Sequence, residues 1–350
     1  MQTIVFAGGG TAGHVMPNFA LIDELKADYN CVYIGGDGME KTLCLERGIP
    51  FYSIPTVKFR RDKMLKNISV PFKLRSCVKA ARKALDEIKP ELIFSKGGYA
   101  ALPVALASKN IPLISHESDF SPGLATKLAK NKSDLVLCAF SPCAQKFKNG
   151  KHVGTPLCQK LYRGAPDRAA YGFKDLKPII AVVGGSSGAQ SLNDCVVKAL
   201  PELLKSFNVI HMTGRNKSGG EKQHGYCPIE FENNMARLYA TCNVMVTRAG
   251  ANALAEAIAL KVPTLAVPLE KASRGDQLQN AEYFKNLGAI DILRETDMTP
   301  TSLVNAVSAL YRNKHKYISA ASGVSVDGTK QICALIREKL NNSSPTETRP

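Results

Sequence analysis

Short apolar runs alternate along the chain with segments in which apolar residues recur every three or four positions. In the first half of the chain, the runs predict strands at residues 3–7, 31–34, 92–95, 112–115 and 135–138, and the strand at 135–138 is predicted to be the last of that half. In the second half, they predict strands at 179–183, 209–212, 244–246 and 263–267. The helical periodicity predicts helices over about 18–26, 193–204, 252–260 and 329–340. Strands that alternate with helices are typical of an α/β fold.

A glycine-rich loop follows the first strand of each half. The sequence GGGTAGH occupies residues 8–14 and GGSSGA residues 184–189, an offset of 184 − 8 = 176 positions. This internal repeat predicts two Rossmann-like domains, joined by a Gly-, Pro- and charge-rich segment over about 154–178. The first loop has the G-x-G-x-x-G spacing of dinucleotide-binding proteins, but the second strand ends in Gly35 instead of the acid that holds a ribose. The loops therefore indicate an anion at a helix N-terminus, not NAD.

Composition limits the classes of partner. The 350 residues include 46 basic and 30 acidic side chains, a net charge of 46 − 30 = +16, which implies an anionic partner. The ten cysteines form no C-x-x-C pair, which favours buried thiols in a reducing compartment over disulfides or a zinc site. No signal peptide is apparent, and no apolar run approaches the roughly 20 residues of a membrane-spanning helix. We expect a soluble or peripheral protein.

The most basic part of the sequence is residues 57–83, where lysine and arginine are interleaved with apolar side chains. Such a pattern is typical of a surface that lies on an anionic membrane. A solvated helix face is the alternative, and the sequence leaves both open. Nucleic-acid binding is less favoured, because no nucleic-acid-binding motif accompanies the charge.

Polar residues cluster where predicted strands end, which is where open α/β sheets bind ligands. The stretch 244–281 contains two such strand ends, each followed by a helix that brings in Glu256, Asp276 or Gln277. A carboxylate there suits ribose hydroxyls, an amide suits sugar hydroxyls, and the helix N-termini suit phosphate. In the first half, His14 follows a glycine loop at a helix N-terminus and is a candidate functional residue.

Six motifs in order resemble one enzyme family. They are GGGTAGH at 8–14, SKGGY at 95–99, HESD at 116–119, GGSSGA at 184–189, TRAGANALAE at 247–256 and SRGDQLQNAE at 273–282. Together they resemble the MurG family, bacterial N-acetylglucosaminyltransferases that convert lipid I to lipid II in peptidoglycan synthesis, in the form found in Gram-positive bacteria. The resemblance covers about residues 2–340.

The resemblance implies the GT-B fold, two Rossmann-like domains whose parallel sheets face a central cleft. Residues 1–157 would form the acceptor- and membrane-facing domain, with the helix at 329–340 packing back on it. Residues 158–328 would bind UDP-GlcNAc, and the polar tail 341–350 is predicted to be disordered. The family acts at the cytoplasmic face of the membrane without a metal. Its partners would be UDP-GlcNAc, lipid I, an anionic membrane surface and other cell-wall synthesis proteins, with no nucleic acid.

Carried over by motif, the resemblance also implies a set of substrate-binding residues. Ser186 would contact the diphosphate, and the backbone around Phe231 and Glu232, with Met235, would frame the uracil. The donor diphosphate and ribose would meet Ala251, Asn252, Ala253, Leu254, Ala255 and Glu256. The GlcNAc hydroxyls would meet Asp276 and Gln277. The opposite wall, near the donor sugar and the acceptor, would be lined by Thr11, Ala12 and Gly13.

Three positions depart from the family pattern. Ala12 replaces a glycine, and its methyl group is the smallest possible intrusion. Asp119 stands where other members have asparagine, and an ionised carboxylate can accept but not donate a hydrogen bond. Cys158 stands where the family motif ends in an arginine that faces the nucleotide, and a thiol cannot replace a guanidinium fork. We expect either weaker donor binding or compensation by a neighbour such as Lys160 or Arg163.

The implied reaction is an inverting transfer that needs a base for the acceptor hydroxyl. His14 is the first candidate base, with Glu117 or Asp119 as the alternative. Two other functions remain open at this point. One is a GT-B enzyme with another lipid acceptor, such as diacylglycerol. The other is a catalytically weak paralogue that binds nucleotide-sugar, which Cys158 would favour.

Overall fold

The computed structural model describes residues 1–57, 70–185, 188–270 and 275–343, which form two compact units. Unit 1 comprises Met1–Cys158 together with the chain from Asp327 onward, and unit 2 comprises Gln159–Val326. Each unit is built on one parallel sheet with helices on both faces. The predicted α/β class with two Rossmann-like domains is confirmed.

Unit 1 contains a seven-stranded sheet in the order β3-β2-β1-β4-β5-β6-β7. The strands are β1 Thr3–Ala7, β2 Asn30–Gly35, β3 Phe51–Ser53, β4 Leu92–Ser95, β5 Leu113–Glu117, β6 Leu135–Cys138 and β7 Gly150–His152. The helices are α1 Ala12–Leu25, α2 Met39–Glu46, α3 Val70–Ile88, α4 Gly98–Ala107, α5 Leu124–Ala129 and α6 Ser141–Ala144, with α13 Thr329–Ser343 from the end of the chain.

Unit 2 contains a six-stranded sheet in the order β10-β9-β8-β11-β12-β13. The strands are β8 Ile179–Val183, β9 Asn208–Met212, β10 Tyr226–Ile229, β11 Val244–Thr247, β12 Thr264–Ala266 and β13 Asp291–Ile292. The helices are α7 Gln190–Ser206, α8 Met235–Thr241, α9 Ala251–Ala259, α10 Asp276–Asn286, α11 Pro300–Arg312 and α12 Lys314–Ser322, with 3-10 turns at Gln159–Arg163, Ala169–Tyr171 and Glu295–Asp297.

The apolar strands are explained by cores on both faces of each sheet. In β1, Ile4 and Phe6 pack into one core of unit 1, whereas Val5 and Ala7 pack into the other. Because side chains alternate between the faces of a strand, a strand with two covered faces must be apolar throughout. The C-terminal helix α13 belongs to unit 1, where Ile332 completes the same core as α1.

Some predicted boundaries were wrong. The first helix begins at Ala12, not near residue 18, and Pro17 lies inside it. Pro17 removes one backbone hydrogen bond, but the helix continues because residues such as Phe19 and Ile22 are buried. The strand at 135–138 is not the last of its half, because β7 pairs with it in parallel. The strands β3, β10 and β13 are short and were not predicted.

The C-terminal helix continues to Ser343, so the predicted tail is helical over its first three residues, 341–343. Residues 344–350 lie outside the described part of the chain, as do residues 58–69 of the basic segment. The described part of that segment is Val57 and residues 70–83 of α3. Within the described ranges, no helix has the length and apolar composition needed to cross a bilayer.

Candidate active site

The glycine loop of unit 1 runs from the end of β1 to the start of α1 and is packed too closely for side chains. A Cβ atom on Gly9 would lie 2.2 Å from Glu40 Oε1. Gly10 has a φ of +85°, and a Cβ there would lie 2.2 Å from Cε1 of Tyr99. The loop therefore needs glycine both for its conformation and for its space.

Glu40 stabilises this loop through hydrogen bonds to its backbone, and sequence analysis did not identify this residue. The whole Glu40 residue is 1% exposed. Oε2 accepts a hydrogen bond from the Gly10 N–H at 3.3 Å, and Oε1 accepts one from the Gly36 N–H at 3.2 Å. Dinucleotide-binding proteins have an acid at the end of the second strand that binds a ribose. In this chain a carboxylate from the first turn of α2 lies there instead, and it binds backbone N–H groups.

His14 lies in the first turn of α1 and is half-buried. Its Nδ1 is 2.8 Å from the Thr11 hydroxyl, and Thr11 is the N-cap residue of the helix. A Cβ on Gly98 would lie 3.2 Å from His14 Nδ1, so the first residue of α4 packs against the imidazole. If Nδ1–H donates to Thr11, Nε2 is the basic nitrogen of the ring.

The other predicted residues of the first loop lie at the start of α1. Thr11 is exposed, while Ala12 and Gly13 are half-buried. Ala12 is the first helical residue, a position at which alanine is well tolerated. The substitution of glycine at this position is therefore compatible with the helix.

Glu117 and Asp119 follow β5 but differ in their surroundings. Glu117 is 7% exposed. Its Oε2 accepts hydrogen bonds from the Gly123 N–H at 2.8 Å and the Thr126 hydroxyl at 2.6 Å, while Oε1 accepts one from the Asp119 N–H at 3.2 Å. Asp119 is half-buried. Glu117 therefore shapes the loop between β5 and α5, and Asp119 is the acid better placed to meet a ligand.

In unit 2, the stretch 251–256 forms the first turns of α9, whose N-cap is Gly250. Ala251, Leu254 and Ala255 are buried. A ligand could meet these three residues only through their backbone. Asn252, Ala253 and Glu256 share the half-exposed face of the helix. The first N–H groups of α9 have no partner within the helix and favour an anion.

Glu256 is held by a buried tyrosine. The Tyr239 hydroxyl donates to Glu256 Oε2 at 2.8 Å, and Tyr239 is 4% exposed. Desolvation of the carboxyl group raises the pKa of Glu256 to about 7, and the hydrogen bond from Tyr239 offsets this only in part. The free protein therefore holds Glu256 between its protonated and ionised forms near neutral pH.

Glu232 is the centre of a side-chain network. It accepts hydrogen bonds from the Tyr171 hydroxyl at 2.8 Å, the Asn234 N–H at 2.7 Å and Arg237 at 3.1 Å. Burial raises the pKa of Glu232, but these donors more than offset it, and the net pKa is lowered. Because these hydrogen bonds occupy the carboxylate, the uracil ring could contact only the backbone at this position, as the family resemblance implies.

Phe231 stands next to this network and is 44% exposed. The guanidinium of Arg215 lies 5.7 Å from the centre of its ring. An exposed aromatic ring beside a cation suits a planar, electron-rich ligand. Sequence analysis did not single out Arg215, because it lies 16 positions from Phe231 (231 − 215) and only the turn after β9 brings it there.

The two polar residues at the start of α10 are not equivalent. Asp276 is buried, with 8% exposed. Gln277 is half-buried, and its Oε1 accepts a hydrogen bond from the Leu269 N–H at 2.8 Å. The group that Gln277 could offer to a sugar hydroxyl is therefore its Nε2 donor. Ser186 lies outside the described residues.

Arg248 is a third residue that sequence analysis did not assign. It is 6% exposed and donates to the Val267 carbonyl at 3.1 Å, the Ser191 hydroxyl at 2.8 Å and Glu295 at 2.8 Å. These contacts join the end of β11 to α7 and to the chain that follows β12 and β13. An arginine directly after a buried apolar strand is the signal that could have identified it.

Cys158 is half-buried and ends the unbroken first part of unit 1. The turn that follows it, Gln159–Arg163, belongs to unit 2 and packs against α8. A Cβ on Gly164 would lie 2.1 Å from the Ala236 carbonyl oxygen, so this contact is tight. Lys160 and Arg163 are both exposed on the turn. The proposed compensation for the missing arginine stays a prediction.

Comparison with known proteins identifies the family. Residues 4–137 match the glycosyltransferase family 28 N-terminal domain, and residues 179–336 match the family 28 C-terminal domain. The chain is 44% identical to the UDP-N-acetylglucosamine–N-acetylmuramyl-(pentapeptide) pyrophosphoryl-undecaprenol N-acetylglucosamine transferase of Lachnospira eligens, over 97% of this chain and 99% of that protein. It is 39% identical to the Clostridium botulinum protein of the same name, with the same coverage.

Solved structures agree on the fold. MurG of Acinetobacter baumannii superposes with a TM-score of 0.73 at 24% identity, covering 96% of this chain and 99% of that one. The calicheamicin glycosyltransferase CalG4 superposes with a TM-score of 0.70 at 17% identity, covering 99% of this chain and 100% of that one. These likenesses confirm the GT-B glycosyltransferase fold. With its two domain matches and its near full-length relatives, the chain belongs to glycosyltransferase family 28, among the MurG N-acetylglucosamine transferases.

Proposed function

We propose that this protein transfers GlcNAc from UDP-GlcNAc to the C4 hydroxyl of the MurNAc in lipid I, giving lipid II, with inversion at the donor carbon. The observation that carries the proposal is the 44% identity, over 97% of the chain, to a transferase named for this reaction. In the reaction the acceptor hydroxyl loses its proton to a base, its oxygen bonds to C1 of GlcNAc, and the C1–O bond to UDP breaks with its electron pair leaving on UDP.

Unit 1 is proposed to supply the base. His14 is half-buried, its Nδ1 contacts the Thr11 hydroxyl, and Gly98 packs against its ring. These contacts fix the orientation of the imidazole, which is what a general base requires. Glu117 is less suited, because both of its oxygens already accept hydrogen bonds. Asp119 is proposed to accept a hydrogen bond from an acceptor-sugar hydroxyl.

Unit 2 is proposed to hold the donor. Glu256 would accept hydrogen bonds from the ribose hydroxyls, and the N-terminus of α9 would hold the diphosphate and stabilise its growing charge. The Nε2 group of Gln277 would donate to a GlcNAc hydroxyl. The ring of Phe231 and the backbone that follows it would frame the uracil. The chemistry is proposed to need no metal, as the family resemblance implies.

Transfer itself is the direct test. The purified protein is incubated with UDP-GlcNAc and a lipid I analogue, with and without EDTA, and the disaccharide product is measured by mass spectrometry. The proposal expects product at the same rate in both arms. Transfer to diacylglycerol alone, or UDP-GlcNAc binding without transfer, would overturn it, and loss of activity in EDTA would overturn the metal-free part.

We also propose that α3 binds unit 1 to an anionic membrane at the cytoplasmic face. The enzyme would there act on the C4 hydroxyl of a membrane-bound acceptor. Phe72 is 71% exposed near the start of this helix, and Lys73, Arg75 and Lys79 are exposed on it. The neighbouring helices extend the surface, since α4 packs against both α3 and α5, and α5 exposes Leu124 and Leu128. Apolar side chains among exposed cations suit anionic headgroups.

The triple change Lys73→Glu, Arg75→Glu and Lys79→Glu should release the protein from vesicles that contain anionic lipid. Each cation near such a surface contributes about 1 kcal/mol, so the three reversals should weaken partitioning by more than about 100-fold. Vesicle co-sedimentation at rising salt measures the effect. Activity on a water-soluble acceptor should not change, and a reversal at an exposed lysine elsewhere, Lys316→Glu on α12 of unit 2, should have no effect on sedimentation. Equal binding to neutral vesicles would contradict the docking surface.

The Cys158→Arg variant should bind UDP more tightly, by about 10- to 150-fold, because a guanidinium adds a charge-assisted hydrogen bond worth about 1.5–3 kcal/mol. Isothermal titration with UDP measures the change, and Cys158→Ser is the control for loss of the thiol. If affinity does not rise, another cation already fills the role, and Arg215→Ala should then weaken UDP binding. Unchanged affinity in all three variants would place the family's nucleotide contact elsewhere in this chain.

A further inference from the structure

Arg248 lies at the carboxyl ends of three neighbouring strands in unit 2. It follows β11 directly, and its backbone N–H donates to the carbonyl of Val183, the last residue of β8, at 3.4 Å. Its guanidinium donates to the carbonyl of Val267, just after β12, at 3.1 Å. Open α/β sheets bind ligands at this edge, so Arg248 belongs to the edge at which the donor is proposed to bind.

The same guanidinium contacts the first turn of α7. Its Nη2 donates to the Ser191 hydroxyl and to Glu295 Oε1, both at 2.8 Å, and the Ser191 hydroxyl donates to Glu295 Oε1 at 2.7 Å. Burial raises the pKa of Glu295, but the hydrogen bonds from Ser191 and Arg248 and the charge of Arg248 more than offset this, and the net pKa is lowered. Glu295 is therefore ionised at neutral pH, and the three side chains form a closed group.

The glycine loop before α7 needs a contact of this kind. Gly185 and Gly188 have φ values of +87° and +67°, and a glycine can adopt many other conformations at little cost. The N-cap of α7 is Ala189, whose methyl group cannot accept a capping hydrogen bond. Contacts from the side of the helix must then fix the direction of its first N–H groups, and Ser191 provides one of them through Arg248.

A second set of contacts leads from Glu295 to the residue proposed to bind the sugar. Its neighbour Arg294 forms two hydrogen bonds with Glu270, at 3.1 Å from Nε and at 2.8 Å from Nη2. Glu270 directly follows Leu269, whose backbone N–H donates to Gln277 Oε1 at 2.8 Å. The ion pair therefore holds the segment after β12, and this segment in turn orients the Gln277 amide.

We propose that Arg248 and Glu295 are positioning residues of the donor site. They hold the first turn of α7 in the orientation that the diphosphate of UDP-GlcNAc requires, while the pair of Arg294 and Glu270 holds Gln277 for the GlcNAc group. The proposal rests on the proposed function, because it takes UDP-GlcNAc as the ligand. None of the four charged side chains needs to touch the donor itself.

UDP and UDP-GlcNAc distinguish the two sets of contacts, because these ligands share the nucleotide and differ in the sugar. Arg248→Met removes every donor of the guanidinium and should weaken both ligands by about 5- to 30-fold. Glu270→Gln should weaken UDP-GlcNAc by about three- to tenfold and leave UDP unchanged. Isothermal titration measures the affinities. Lys285→Met breaks an ion pair with Asp291 near the other end of α10, and this matched control should bind both ligands as the wild type does.

Urea unfolding separates positioning from a merely structural role. Arg248→Met leaves the Glu295 carboxylate without its cation, so this variant should unfold at a lower urea concentration. Adding Glu295→Gln removes the uncompensated charge and should restore part of the midpoint. The affinity for UDP should nevertheless stay low in the double variant, because methionine cannot donate to Ser191 or to the Val267 carbonyl. Recovery of affinity together with stability would make the pair structural only and overturn the proposal.

Two further results would overturn the proposal: wild-type affinity in Arg248→Met, and a Glu270→Gln variant in which UDP-GlcNAc is weakened no more than UDP. The second result decides the matter even if Arg248→Met does not fold, because Glu270 belongs to a partly exposed pair. Binding and transfer can fail separately. If the wild type forms no product but the variants bind as expected, the proposed function fails and the positioning role stands. If the wild type forms product and both variants bind as it does, the positioning role fails.

Discussion

Replacing His14 with alanine should lower kcat by about 10²–10⁴-fold, the usual contribution of a general base. The affinity for UDP-GlcNAc should change little, because most of the residues proposed to bind the donor lie in unit 2, whereas His14 lies in unit 1. Steady-state kinetics with a lipid I analogue and titration of UDP-GlcNAc measure the two effects separately. A fall in kcat without a fall in donor affinity is the signature of a group needed in the transition state.

His14→Gln separates chemistry from packing. Glutamine can still bond to the Thr11 hydroxyl and fill space beside Gly98, but it cannot accept a proton near neutral pH. We therefore expect it to be as impaired as His14→Ala, while His315→Ala, at an exposed histidine of unit 2, behaves as wild type. Near-normal turnover in His14→Gln would make His14 a positioning residue, and Asp119 would become the candidate base.

Glu256→Ala should raise the KM for UDP-GlcNAc by about 10- to 150-fold. Ribose hydroxyls would lose a charged acceptor, worth about 1.5–3 kcal/mol per charge-assisted hydrogen bond. The acceptor KM should stay near its wild-type value. An unchanged donor KM would remove Glu256 from the donor site.

The raised pKa of Glu256 adds a pH dependence to donor binding. In the free protein this pKa is about 7, against an ordinary value of 4.5. Protonation of Glu256 therefore contributes its full stabilisation of the folded state below about pH 4.5, and this contribution is lost as the pH rises through about 7. Donor binding should favour the ionised form and so strengthen by about tenfold from pH 6 to pH 8. UDP-GlcNAc is a suitable probe because its diphosphate is esterified at both ends and does not titrate in this range. Glu256→Gln should show a flat profile, and the same tenfold rise in that variant would assign the effect to another group.

Sequence analysis predicted the fold because the evidence for it is local. Strand β8 is apolar throughout and β1 is apolar after Thr3. Each precedes a glycine loop, and both features are visible in a short window of sequence. The errors arose where distant contacts decide the outcome. The start of α1 depends on packing that outweighs the cost of Pro17, and β7 has only three residues, of which Lys151 and His152 are exposed.

The candidate site residues that could be predicted from the sequence are those that lie in recognisable motifs. His14 and Glu256 lie in motifs with glycine and helix signals. The structure places His14 in the first turn of α1 and Glu256 on the half-exposed face of α9. Glu40 and Arg215 were missed because their roles come from partners far along the chain. Glu40 binds the N–H of Gly10, 30 positions away, and Arg215 lies beside the ring of Phe231, 16 positions away. Only the folded sheet brings such pairs together.

The division of unit 1 into two pieces of sequence has a consequence for biosynthesis. Unit 2 is continuous, so the ribosome completes it before it makes α13. The core that α1 shares with Ile332, Ile336 and Leu340 stays open until then. The N-terminal sheet is therefore made first but finishes folding last, and its exposed apolar face needs protection during most of translation.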